Sequence, residues 1–118
     1  MTDERSHLKV RNSDGVDVVE FADRKILEEP SISEIGQELA GLVTGKDGVK
    51  LLVSFKNVEH LSSAALGMLI TLNKQVSESK GTLKLSDITP QIFEVFKITR
   101  LNRLFDIHDT TEEGLASF

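Results

Sequence analysis

The chain has 118 residues and a formal charge of −5, enough for one hydrophobic core and too short for two ordinary domains. Its few aromatic residues are all Phe, so it lacks both the basic face and the stacking platforms that nucleic acid requires. Without Cys there is no disulfide framework, thiol nucleophile or zinc-thiolate site, and His7, His60 and His108 carry no ligand spacing, so neither a metal nor a cofactor is expected.

Residues 1–7 are charged and have no apolar core of a leader peptide, and are expected to form a flexible N-terminus ahead of one domain over 8–118. No later segment reaches the apolar length that spans a bilayer, which points to the cytoplasm and away from a membrane partner. Leu8–Arg11 and Val16–Phe21 are β-type runs separated by Asn12-Ser13-Asp14-Gly15, the signature of an antiparallel hairpin. A polar stretch, Ala22–Pro30, leads to Ser31-Ile-Ser-Glu34, which has the form of a capping box. Ile32, Ile35, Leu39, Leu42 and Val43 then recur at helical spacing, predicting a helix from Ser31 to Val43 that Gly45-Lys-Asp-Gly48 terminates.

Val49–Phe55 is a short apolar run bounded by turn signals, the pattern of a buried central strand. The helix after it should run from Ser63 or Ala64 to Lys80, with Gly81 as its stop. Its inner stripe is Ala65, Leu69, Leu72 and Val76, widened by Leu66, while Gly67, Thr71, Lys74 and Glu78 face water. Thr82–Leu85 alternates like a strand, and Thr89-Pro90 opens a helix carrying Ile92, Phe93, Val95, Phe96 and Ile98. Leu104–Ile107 is read as a last strand, and Thr110-Thr-Glu-Glu113 as a capping box before a brief terminal helix.

This alternation predicts an α/β fold, a mixed four- to five-stranded sheet with an N-terminal antiparallel hairpin and about four helices. Parallel strands share a C-terminal edge, so the loops Ala22–Pro30, Lys56–Ser62 and Ser86–Thr89 should cluster at one end, where partners of open α/β sheets bind. Ser62 and Ser63 fall in that cluster at the start of the longest helix, a position that suits a phosphate through the free N–H groups and the positive end of the helix dipole.

Other chemistry has little support. Gly41-Leu-Val-Thr-Gly45-Lys46-Asp47 is one residue short of a phosphate loop, has Asp where a magnesium-binding hydroxyl belongs and precedes a strand instead of following one. No Ser-His-acid order, carboxylate pair or metal signature assigns a catalytic residue.

The run Lys50-Leu-Leu-Val-Ser-Phe-Lys-Asn-Val-Glu-His-Leu-Ser-Ser-Ala-Ala-Leu-Gly-Met-Leu69 resembles the STAS domains of bacterial anti-sigma factor antagonists. There an apolar strand leads to Asp-Ser-Ser/Thr-Gly-Leu-Gly at a helix start. The likeness extends to the hairpin, to Gly81 and to Ile92–Ile107.

What the resemblance implies is a non-enzymatic switch that binds an anti-sigma factor with serine/threonine kinase activity, is phosphorylated by it and is restored by a phosphatase. Ser63 falls on the phosphoacceptor, with Ser62 as the alternative, and Leu66-Gly67 match the family's Leu-Gly. Ser62 stands where Asp is usual, Ala64 replaces the second hydroxyl residue and Ala65 replaces Gly. The expected docking residues are Ser62, Ser63, Ala64, Gly67 and Met68, joined by Asp23, Glu59 and Asp87 from the neighbouring loops. The rival readings are an unphosphorylated STAS scaffold or regulatory subunit and a small-molecule or nucleotide-binding module. The sequence does not fix the oligomeric state.

Overall fold

The computed structural model describes residues 8–22, 24–26 and 29–118. Asp14 and Gly15 both take positive φ, the geometry of a two-residue hairpin turn, and join β1 (Leu8–Ser13) to β2 (Val16–Phe21) in antiparallel register. The chain continues through β3 (Lys25–Ile26), α1 (Glu29–Val43), β4 (Lys50–Ser54), β5 (His60–Leu61), α2 (Ser63–Glu78), β6 (Thr82–Ser86) and α3 (Pro90–Ile98). A 3-10 turn (Leu101–Arg103), β7 (Asp106–His108) and α4 (Thr111–Ala116) complete it.

The main sheet has the order β1-β2-β4-β6-β7, and every pairing after the hairpin is parallel. Parallel neighbours joined by right-handed crossovers place α1, α2 and α3 in one layer on the same face. That face holds the larger core, in which Phe21, Ile35, Leu39, Leu51, Val53, Phe55, Leu69, Leu85 and Phe96 are fully buried. Rings of Phe21, Phe55, Phe96 and Phe105 touch in sequence, with centroids 5.1, 6.4 and 5.9 Å apart. α4 covers part of the opposite face, where Val16, Val18 and Leu52 pack with Leu115 and Phe118.

The predicted inner stripe of α2 is the observed one: Ala65, Leu66, Leu69, Leu72 and Val76 are its buried residues. Thr89 and Thr110 cap α3 and α4 as read, accepting from the Ile92 and Glu113 amides.

Four local readings are corrected. α1 begins at Glu29, so Ser31 lies within its first turn instead of capping it; Pro30 is tolerated there because first-turn N–H groups have no helical partner. Lys80, not Gly81, takes the left-handed conformation that ends α2, with Lys80 N–H on the Ser77 carbonyl and Gly81 N–H on the Val76 carbonyl. Gly81 is required for a different reason, since a Cβ there would stand 2.4 Å from the Val49 carbonyl oxygen. The last strand is Asp106–His108 instead of Leu104–Ile107, because the chain first makes the 3-10 turn that buries Phe105. Finally, β3 and β5 pair outside the main sheet in stretches too short for alternation to register.

Candidate functional site

The serine pair sits on a loop held from both sides. Phe55 and Val58 are fully buried and anchor the loop after β4, while Asn57 Nδ2 donates to the Phe21 carbonyl at 3.2 Å. The Arg24 carbonyl accepts from the Glu59 and His60 amides at 2.7 and 3.1 Å, and the Ile26 carbonyl accepts from Ser62 N–H at 3.1 Å. The β3–β5 ladder therefore fixes the backbone immediately before α2.

Ser62 is the N-cap of α2: its backbone is extended and its Oγ accepts from the Ala65 amide at 3.2 Å. Its hydroxyl is half-buried and committed to the helix. Ser63 is the first helical residue; it is exposed and makes no side-chain hydrogen bond among the described residues. No acidic residue stands in the first turn, so the positive end of the dipole is uncompensated by side chains. The two serines thus have different roles, one structural and one free.

Ser62→Ala is expected to cost about 1 kcal/mol of stability through the lost cap. Urea denaturation would detect this, and Ser62→Asp, another good cap residue, should retain wild-type stability.

Ala64 and Gly67 are exposed beside Ser63, and a Cβ on Gly67 would meet nothing within 4 Å, so that surface is open to a partner. Met68 is half-buried on the other flank of α2, where its Cγ would be 3.2 Å from a Cβ at Gly36 of α1. Glu59 is exposed on the same loop, with its amide bound to the Arg24 carbonyl. Asp23 lies outside the described residues.

Asp87 follows β6 at the C-terminal edge of the sheet, beside the end of β4. It has a positive φ at the end of β6, and its Oδ2 accepts from Ser54, Ser86 and Thr111 hydroxyls at 3.0, 2.8 and 2.5 Å. These three hydroxyls lie on the α4 side of the sheet, so Asp87 ties α4 to the ends of β4 and β6. No local pattern announces this cluster, because its hydroxyls come from three separate elements, β4, β6 and α4.

Among the described residues no group of His, Asp and Glu could hold a metal, and no helix is long and apolar enough to cross a membrane. A cavity of about 310 Å³ lies between the start of α3 and β7, lined by Ile88, Pro90, Phe93, Ile107, His108 and Asp109.

Over 70 residues the chain is 30% identical to the anti-sigma-B factor antagonist of Bacillus subtilis, a match that spans 59% of this chain and 64% of that protein. Among solved structures it superposes on an anti-sigma-factor antagonist (STAS) domain protein from Planctomyces limnophilus with a TM-score of 0.82 and 21% identity, covering 93% of this chain and 96% of the other. The Bacillus cell fate determinant SpoIIAA in its phosphorylated form superposes with a TM-score of 0.69 at 15% identity, covering 93% and 96%. Residues 18–114 match the STAS domain, and with the hairpin, the parallel sheet and the helix start at Ser63 in place, the chain belongs to the STAS domain family.

Proposed function

We propose that this protein is a cytoplasmic, non-enzymatic anti-sigma factor antagonist that binds an anti-sigma factor through the start of α2 and is released when that partner, acting as a serine kinase, phosphorylates Ser63. The observation that carries the reading is the division of labour within the serine pair: Ser62 Oγ is bound to the Ala65 amide and Ser63 is exposed and free. Ser62 also accounts for the departure from the usual Asp, because Asp and Ser are comparable N-caps. The cap is kept while the negative charge beside the acceptor is lost.

A phosphate on Ser63 would bring roughly −1.5 to −2 charges. The amides of the helix start would tolerate it within this protein, whereas burying it in an interface would be opposed by desolvation. Fold and binding would respond differently to one modification, and a phosphatase would reverse it.

Ser63→Asp is expected to weaken anti-sigma factor binding by about 100-fold, or ~2.7 kcal/mol, while leaving the melting temperature within a few degrees. Ser63→Ala should bind as wild type and gain no phosphate mass on incubation with the kinase and ATP. Isothermal titration and intact-mass spectrometry read the two arms; phosphate incorporated into Ser63→Ala would move the site to another hydroxyl.

A further inference from the structure

We infer that Asp87 is a positioning residue for the partner surface: through the Ser54 hydroxyl it fixes the chain where it leaves β4, and with it the loop that leads to Ser63. This role rests on the binding proposed above and adds to it a residue that acts from within the fold. Ser54 Oγ donates to Asp87 Oδ2 at 3.0 Å and accepts from the Lys56 amide at 3.3 Å. A serine hydroxyl has one proton, so giving it to the carboxylate sets the rotor and leaves the lone pairs for Lys56. The bond from Ser54 to the amide two residues on turns the chain as it leaves the strand.

The carboxylate is itself held in place. The Ser86 and Thr111 hydroxyls donate to the same oxygen at 2.8 and 2.5 Å, and Ser54, Ser86 and Thr111 are all buried. Three donors on one acceptor leave it little freedom, and removing the acceptor would strand buried hydroxyls. Asp87 has a φ of 59°, a left-handed conformation that glycine adopts without steric cost, so the turn alone does not call for a carboxylate; its hydroxyl partners do.

The loop beyond Lys56 is tied elsewhere toward β2 and β3, through Asn57 and through the β3–β5 ladder. On the β6 side, the Phe55 amide donates to the Ser86 carbonyl at 2.9 Å and keeps the chain in register up to the turn, and the Val58 amide returns to the Phe55 carbonyl at 2.9 Å. The Ser54 bond therefore sets the direction of the loop at its origin, and a change there is passed through Asn57 and Val58 toward the cap at Ser62. Thr111 holds the other side of Asp87 to α4 and makes no hydrogen bond to the loop among the described residues. Ser54 and Thr111 are thus equivalent donors to one carboxylate with different onward contacts.

The test compares Ser54→Ala with Thr111→Val, each of which removes one donor from Asp87, and Asp87→Gly with Asp87→Asn, both of which accept a left-handed backbone. Amide hydrogen exchange, read by NMR on the full chain alone, should be about tenfold faster at Lys56 in Ser54→Ala and Asp87→Gly and unchanged there in Thr111→Val. Isothermal titration with the anti-sigma factor should show about tenfold weaker binding in Ser54→Ala and Asp87→Gly, and binding within about twofold of wild type in Thr111→Val and in Asp87→Asn, whose amide oxygen accepts in place of the carboxylate. A role confined to stability would leave Ser54→Ala and Thr111→Val alike in both measurements and would overturn the positioning role, as would an unchanged Lys56 exchange rate in Ser54→Ala. If Lys56 exchange accelerates while Ser54→Ala and Asp87→Gly bind the anti-sigma factor as wild type does, the positioning role falls and the antagonist reading stands. If wild type itself does not bind while the Lys56 amide responds as expected, the antagonist reading falls and the hold of Asp87 on the loop stands.

Discussion

Phe96→Ala should lower the unfolding free energy by about 4 kcal/mol, a large part of what a domain of this size possesses. Phe96 is fully buried, and its ring lies between those of Phe55 and Phe105, at 6.4 and 5.9 Å, in edge-on arrangements. Truncation removes buried apolar area and leaves a cavity that the flanking rings cannot close, because Phe55 is also held by Phe21 at 5.1 Å. The corresponding drop in melting temperature is on the order of 15 °C. Phe96→Leu, which retains most of the volume, should recover more than half of the loss. Scanning calorimetry on both variants checks this, and a loss below 1 kcal/mol in the alanine variant would contradict the packing described.

The second large effect is electrostatic. The Lys84 ammonium lies against the α4 side of the sheet with its side chain 10% exposed, 2.6 Å from Asp106 Oδ2 and 5.3 Å from the centre of the Phe118 ring. The hydrogen bond from Lys84 holds the Asp106 carboxyl below its ordinary value of 3.8, against a partly opposing desolvation, with further help from the charge of Lys84 and from His108. His108 Nε2 is 3.0 Å from Asp106 Oδ1.

Asp106→Asn leaves the ammonium buried without its counter-ion and should cost about 2 kcal/mol at neutral pH, less than for a fully buried pair because Asp106 is half-exposed. The folded-state value is depressed, so this contribution is present above the unfolded carboxylate's titration, near pH 4, and is lost as pH falls through the lower folded value. The stability gap between wild type and Asp106→Asn should therefore narrow below about pH 4. Lys84→Met, which removes the charge and keeps the stem, should cost less than Asp106→Asn. Urea titrations across pH 3 to 7 would separate these outcomes, as would a gap that is independent of pH.

Local periodicity made the larger elements legible. The stripe Ala65, Leu66, Leu69, Leu72 and Val76 sets which face of α2 is inside, and Asp14-Gly15 sets the hairpin, since in both cases the deciding interactions lie within a few residues. The position of Ser63 was readable for the same reason: a strand end followed by a capped amphipathic run puts a hydroxyl at a helix start.

What could not be read depends on contacts distant in sequence. Asp87 looks like an exposed loop acid until Ser54 and Thr111 arrive from other elements to bind it. Gly81 looks like a helix stop, and only the nearby Val49 carbonyl shows why a side chain is excluded. β3 and β5 have two residues each, too few for any pattern, and owe their pairing to the docking of the helices and the main sheet.

The β3–β5 ladder has a consequence for how the molecule matures. It joins Lys25 to His60 and Ile26 to Leu61, closing a long loop for very few hydrogen bonds. Such a closure is favourable only once β2, β4 and the first two helices are in place, so the ladder belongs to the last contacts made during folding and the first released when the chain opens. A partly folded chain emerging from the ribosome therefore has Ser63 in its sequence but lacks the braced helix start that displays it. In the binding proposed above, the surface that presents Ser63 is complete only once this ladder has closed.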